Sequence, residues 1–125
     1  MKKFVILLFA VLNIVFGVAQ NAQFSAVLDT NYILIGEQTV LHVRASNLPN
    51  ATLLWPVWPD TLKGVEVIST SRDTVENDGK FSITEHFVLT SFDSGFVVIP
   101  PFEILLDDQK LATEPQILNV GTVEI

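Results

Sequence analysis

The sequence predicts an all-β fold, an antiparallel β-sandwich of about seven to eight strands. Three observations carry that reading. Apolar residues recur mostly at period two in short runs, turn residues punctuate the runs at intervals of about 8 to 12 residues, and no stretch of useful length places apolar positions at helical spacing.

Taken in order, Phe24, Ala26 and Leu28 alternate with Ser25, Val27 and Asp29, and a short run from Ile33 to Ile35 stops at Gly36. From Thr39 to Ala45, Leu41 and Val43 fall on one face and His42 and Arg44 on the other, as suits a sheet with one wet side. Leu48, Pro49 and Asn50 form a loop, and Thr52 to Trp55 is the next extended piece, ended by Pro56 and Pro59, which bar ordinary ladder pairing. Val65 to Ser69 follows. Glu76-Asn77-Asp78-Gly79 reads as a tight hairpin turn, because Asp and Gly readily take positive φ. Beyond it Phe81, Ile83, Phe87 and Leu89 share a face interrupted only by Glu85, and Gln116 to Ile125 closes the chain after a turn at Asp107 to Lys110.

The run from Phe96 to Ile99, apolar on both faces, suits a central strand that meets the opposite sheet. Asp93-Ser94-Gly95 makes the corner before it, with Asp93 bonding backbone two residues on and Gly95 accepting an unusual φ. Pro100 and Pro101 hold Ile99 extended and remove two N–H donors, so the strand must lose a neighbour there, by a bulge or by running past the neighbour's end. Phe102 to Leu106 then continues with a different partner. These prolines read as structural, not as a ligand for a proline-reading domain, since they sit inside an apolar run.

At the N-terminus Lys2 and Lys3 precede a charge-free run, Phe4 to Val18, and Gly17 and Ala19 place small residues before a cut ahead of Gln20. Residues 1–19 read as a secretory signal, too short for a spanning helix of about 20 residues. Residues 20–125 then make one domain, large enough for a modest core. Without cysteine it has no disulfide, thiol nucleophile, thiolate metal site or lipidation cysteine, so packing must stabilise it. Five basic residues against fourteen acidic ones leave a mature charge of −9, which disfavours nucleic acid and anionic lipid as partners.

The Asp93-Ser94-Gly95 step resembles the E–F corner of immunoglobulin-like sandwiches, with Val97 where the corner tyrosine stands and Ile99 where the disulfide cysteine stands. Leu41 and Trp55 would face Ile99 from the strands corresponding to B and C. Three stretches, "LDTNYILIGEQ", "LLWPVWPDTLKGVEVI" and "HFVLTSFDSGFVVIPPFEI", together resemble the N-terminal exported region of BatD-like, aerotolerance-associated proteins, over about Phe24 to Ile125. The resemblance implies an envelope protein of immunoglobulin-like modules. It also implies a C-terminal membrane anchor and work beside von Willebrand A-type proteins, tetratricopeptide proteins and a MoxR-type ATPase. It supplies no catalytic residue. A chain stopping at "LNVGTVEI" without that anchor reads as a fragment of a longer, periplasmic protein.

No catalytic constellation emerges from the residues themselves. His42 and His86 are the only imidazoles; each lies on a strand at an outward position, and no serine sits in a Gly-x-Ser-x-Gly elbow. No His-x-x-x-His or calcium-loop spacing occurs, and no cofactor or metal is implied; Asp107-Asp108 reads as a turn and Asn50-Ala51-Thr52 as loop residues that happen to spell a sequon. Binding is the favoured class. In a pleated strand Trp55 and Trp58 point to opposite faces, whereas in a polyproline II segment they align as a contact ridge. Against the alternative that both cap the core, the intermediate reading has Trp55 buried and Trp58 at least partly exposed, with Trp58, Pro59 and Asp60 as the candidate partner contact. The competing reading is a carbohydrate-binding sandwich that stacks sugar on Trp58 with Asp60 or Glu66 as a polar clamp.

Overall fold

The computed structural model describes residues 22–50, 64–106 and 108–123. Among them are nine strands and no helix: β1 (Gln23–Leu28), β2 (Tyr32–Leu34), β3 (Gln38–Leu48), β4 (Glu66–Asn77), β5 (Lys80–Thr90), β6 (Gly95–Ile99), β7 (Glu103–Leu106), β8 (Gln109–Ala112) and β9 (Gln116–Gly121). The predicted all-β class is what forms. A four-stranded sheet in the order β1-β3-β5-β4 faces a three-stranded sheet β2-β9-β6, and β7-β8 makes a small third sheet.

Alternation determines which side chains fill the space between the layers. Ala26, Leu41, Val43, Phe87 and Leu89 enter it from the first sheet, and Ile33, Ile99, Leu118 and Val120 from the second. Leu41 and Ile99, expected opposite one another, both lie in this core. Each of the Val, Leu, Ile and Phe side chains contributes about 1.5–3 kcal/mol by leaving water, the main favourable term in a chain without disulfides. Phe102 stacks on Phe87 with ring centroids 5.8 Å apart. A second cluster, Ala45, Leu48 and Ile83 against Ile104, seats the β7-β8 ribbon on one end of the first sheet.

Local chemistry explains the turns. Asp78 and Gly79 have φ of 52° and 76° between the paired Asn77 and Lys80, the two-residue hairpin that Asp-Gly predicts. Gly95 has φ of 121°, as expected at the corner, but the corner's hydrogen bonds come from Ser91. The fully buried Ser91 hydroxyl donates to the Asp93 carbonyl (3.0 Å) and accepts from the Asp93 N–H (3.3 Å), doing the work assigned to the Asp93 side chain.

Pairing between β6 and β9 runs from Gly95↔Val120 to Ile99↔Gln116 and stops at Pro100, as a residue without an N–H requires. The chain then changes partner: Phe102 and Thr113 exchange backbone and side-chain hydrogen bonds, and β7 pairs with β8.

Four expectations need correction. β4 extends to Asn77 instead of ending at Ser69, because its pairing with β5 continues through residues too polar to show an apolar alternation. Gln109–Ala112 is a strand where only a turn was expected. β2 joins β9 in parallel, because the chain crosses from the first sheet to the second between Leu28 and Tyr32. Thr39 stitches that crossing on one side (Oγ1 to the Thr30 carbonyl, 3.1 Å) and the Asn119 N–H on the other (to the Asn31 carbonyl, 2.8 Å). Finally, β6 is not buried on both faces: Val97 and Ile99 point inward, whereas Phe96 and Val98 are exposed.

Candidate functional site

The two sheets present outer faces of opposite character. On the four-stranded sheet, period two sends Arg44, Ser82, Thr84, Ser71 and both histidines outward. His42 on β3 and His86 on β5 are direct cross-strand partners. Their Nδ1 atoms lie 2.6 Å apart, with the rings edge-on at a centroid separation of 4.8 Å. Two rings reach that separation when both Nδ1 atoms lie nearly on the line between the centres. The lone-pair directions therefore meet head-on.

The far nitrogens are also engaged. His42 Nε2 is 2.7 Å from Asp29 Oδ1, just beyond β1, and His86 Nε2 is 2.9 Å from Asp73 Oδ2 on β4. A hydrogen-bonded chain, Asp29–His42–His86–Asp73, thus crosses all four strands on the solvent side.

Each carboxylate can only accept, so each Nε2 carries a proton. Between the Nδ1 atoms one nitrogen donates and the other accepts. Three protons on the four nitrogens satisfy every contact. All four ring nitrogens are used within the chain, so neither ring has a free nitrogen positioned to act as base toward a nucleophile. Among the described residues no three or more His, Asp or Glu side chains are placed to hold one metal ion. Beside the chain lies a shallow groove of about 350 Å³, lined by Arg44, Asp73, Asn77, Thr84 and His86 among others.

The outer face of the three-stranded sheet is apolar. Phe96 is 76% exposed, Val98 58%, Ile117 56% and Tyr32 51%. The register makes them neighbours: Val98 pairs with Ile117, and Asn119 stands between Phe96 on one side and Tyr32 on the other. Tyr32 lies over Gly121, where any larger residue would meet its hydroxyl.

Of the residues singled out by sequence, Trp55, Trp58, Pro59 and Asp60 lie outside the described residues, as does the signal at 1–19. Asp93 is exposed at the corner, and Pro100 and Pro101 are exposed where β6 ends. Glu66 opens β4 and shares a shallow groove of about 200 Å³ with Phe92 and Asp93. The histidines point outward as expected, but their contact needs the β3–β5 register, which no local motif reveals. Half of the pattern was within reach: counting back from the Asp78-Gly79 turn places Ser71 opposite His86 and so Asp73 beside it.

Among the described residues no helix is long and apolar enough to cross a membrane. Comparison of the sequence with family models and curated proteins, and of the structure with solved structures, finds no match.

Proposed function

We propose that this chain is a non-catalytic, exported, immunoglobulin-like module that docks a protein partner through the outer face of its three-stranded sheet. The contiguous exposure of Phe96, Val98, Ile117 and Tyr32 carries the reading. Exposed aliphatic and aromatic side chains on adjoining strands are what a protein interface covers, with aromatic residues as its anchors. The immunoglobulin-like part of the reading is supported by strand order. Four strands in the order β1-β3-β5-β4 on one sheet, with β9 beside β6 on the other, follow the ABED and GF arrangement of such domains when β1, β3, β4, β5, β6 and β9 are read as A, B, D, E, F and G.

The BatD-like resemblance supplies the partner class, an envelope von Willebrand A-type or tetratricopeptide protein, and an aerotolerance role. The mature charge of −9 suits a soluble acidic rim around an apolar centre. The test is cross-linking in envelope extracts. Recovery of a von Willebrand A-type partner by the wild-type chain, lost in Phe96→Glu and kept in Ser71→Ala, supports the proposal. A chain that recovers no such partner, or recovers it equally well as Phe96→Glu, refutes it.

One observation favours a carbohydrate-binding alternative: the exposed Phe92 ring shares its groove with the carboxylates of Glu66 and Asp93, a stacking surface beside polar groups. Saturable binding on a glycan array, lost in Phe92→Ala or Trp58→Ala, would move the assignment there.

A further inference from the structure

We propose that the His42–His86 pair is a one-proton clasp that makes the cohesion of the four-stranded sheet depend on pH. The inference stands on the geometry of the chain Asp29–His42–His86–Asp73 and is independent of the docking face.

The clasp joins the two central strands of the sheet, β3 and β5, and its ends reach the edge strands. With one proton between the Nδ1 atoms, all three contacts are made. A fourth proton on the pair sets two N–H bonds head-on across 2.6 Å, which no hydrogen bond tolerates, so the rings must part. With only two protons, one of the three contacts has nothing to share. The charged groups facing the pair are Asp29 from the β1 end, Arg44 on β3 and Asp73 on β4; Arg72 and Glu85 occupy the opposite face. Among the described residues no other element packs on this face. The aspartates favour positive charge on the rings, and their contacts at Nε2 survive the fourth proton. Acid therefore severs the link between the rings, not the links to the carboxylates.

Proton counting gives the sign. On the acid side a fourth proton removes the ring–ring contact, which only the folded chain has to lose, so stability falls as pH drops. On the alkaline side loss of the shared proton leaves one of the three contacts unmade in the folded chain, so stability falls as pH rises. The range to scan is about pH 5 to 8, where imidazoles in general change charge. Side chains a quarter to a third exposed limit the effect to about tenfold in the folding equilibrium, the lower end for one charge-assisted hydrogen bond.

The experiment measures urea-denaturation midpoints against pH in chelator-containing buffer for the wild type, His42→Asn, His86→Asn and the double variant, with nitrogen NMR of the imidazoles in the wild type. A stability maximum present in the wild type and lost in each single variant, with three of the four ring nitrogens protonated at the maximum, is the expected result. Superimposable pH profiles for wild type and double variant overturn the proposal, as do two rings that titrate independently. Stoichiometric binding of Zn²⁺ or Cu²⁺ at micromolar concentration in chelator-free buffer, with both rings as ligands, overturns it too, because the pair would then be a metal site.

Discussion

Arg72 lies directly across from Glu85 in the β4–β5 ladder, and its Nε donates to Glu85 Oε2 at 2.6 Å. Glu85 is the one charged residue on the inward face of β5, set between the buried Ile83 and Phe87. A carboxylate so placed needs a cation, and the edge strand delivers one from a side chain half in water. Arg72→Met should cost about 1–2 kcal/mol, less than the 3–5 typical of a fully buried pair, because Glu85 keeps some access to water once Arg72 is gone. Arg72→Met combined with Glu85→Leu should recover wild-type stability or exceed it. Urea denaturation of the two single variants and the double variant measures the coupling; a double variant no better than Arg72→Met would contradict this account.

Thr113 secures the chain where it changes partner after the two prolines. Its Oγ1 accepts the Phe102 N–H at 2.8 Å, and its own N–H donates to the Phe102 carbonyl at 2.9 Å. Both residues are buried, so Thr113→Val leaves the Phe102 N–H without this acceptor and should cost about 1–3 kcal/mol. Thr113→Ser should cost much less. Hydrogen exchange should show the loss concentrated in β7 and β8, whose attachment begins at this pair.

Much of this fold is legible in the residues, for a definite reason. Strands that bury one face betray themselves by alternation: Leu41 and Val43 against His42 and Arg44 define β3, and Ile83, Phe87 and Leu89 define β5. Pro100 likewise marks where β6 ends. Alternation fails where no face is buried. From Ile68 to Asn77 every β4 residue is exposed, so its length is set by pairing to β5 and not by its own pattern. The histidine chain fails differently. Its four members come from four places in the chain, and only the non-local β3–β5 register brings His42 to His86. The apolar outer face leaves no mark in the sequence, where a Phe96 that faces water looks the same as one that faces a core.

Gly79 tests the backbone alone. Its φ is 76°, and nothing lies within 4 Å of the position a Cβ would take, so substitution meets strain without collision. Gly79→Ala should lose about 1–2 kcal/mol, the cost of a left-handed conformation for an ordinary residue. Gly79→Asn should lose less, because asparagine enters that region more readily. Thermal denaturation of both variants makes the comparison, and equal losses would show that the turn resists substitution for some reason other than φ.

Leu41 and Phe96 separate core from surface. Leu41 is fully buried between the sheets, and Leu41→Ala should cost about 2–5 kcal/mol through lost transfer energy and the cavity left behind. A domain of this size has about 5–15 kcal/mol in all, so the variant should sit near the edge of folding at physiological temperature. Phe96 is a larger side chain but three-quarters exposed, and Phe96→Ser should change stability by no more than about 0.5 kcal/mol. Its effect belongs to association: removing the ring should reduce self-association and dye binding at high protein concentration while the urea midpoint stays in place. If Phe96→Ser unfolds the chain as Leu41→Ala does, the ring is part of the core and the outer face of β2-β9-β6 is not available to a partner.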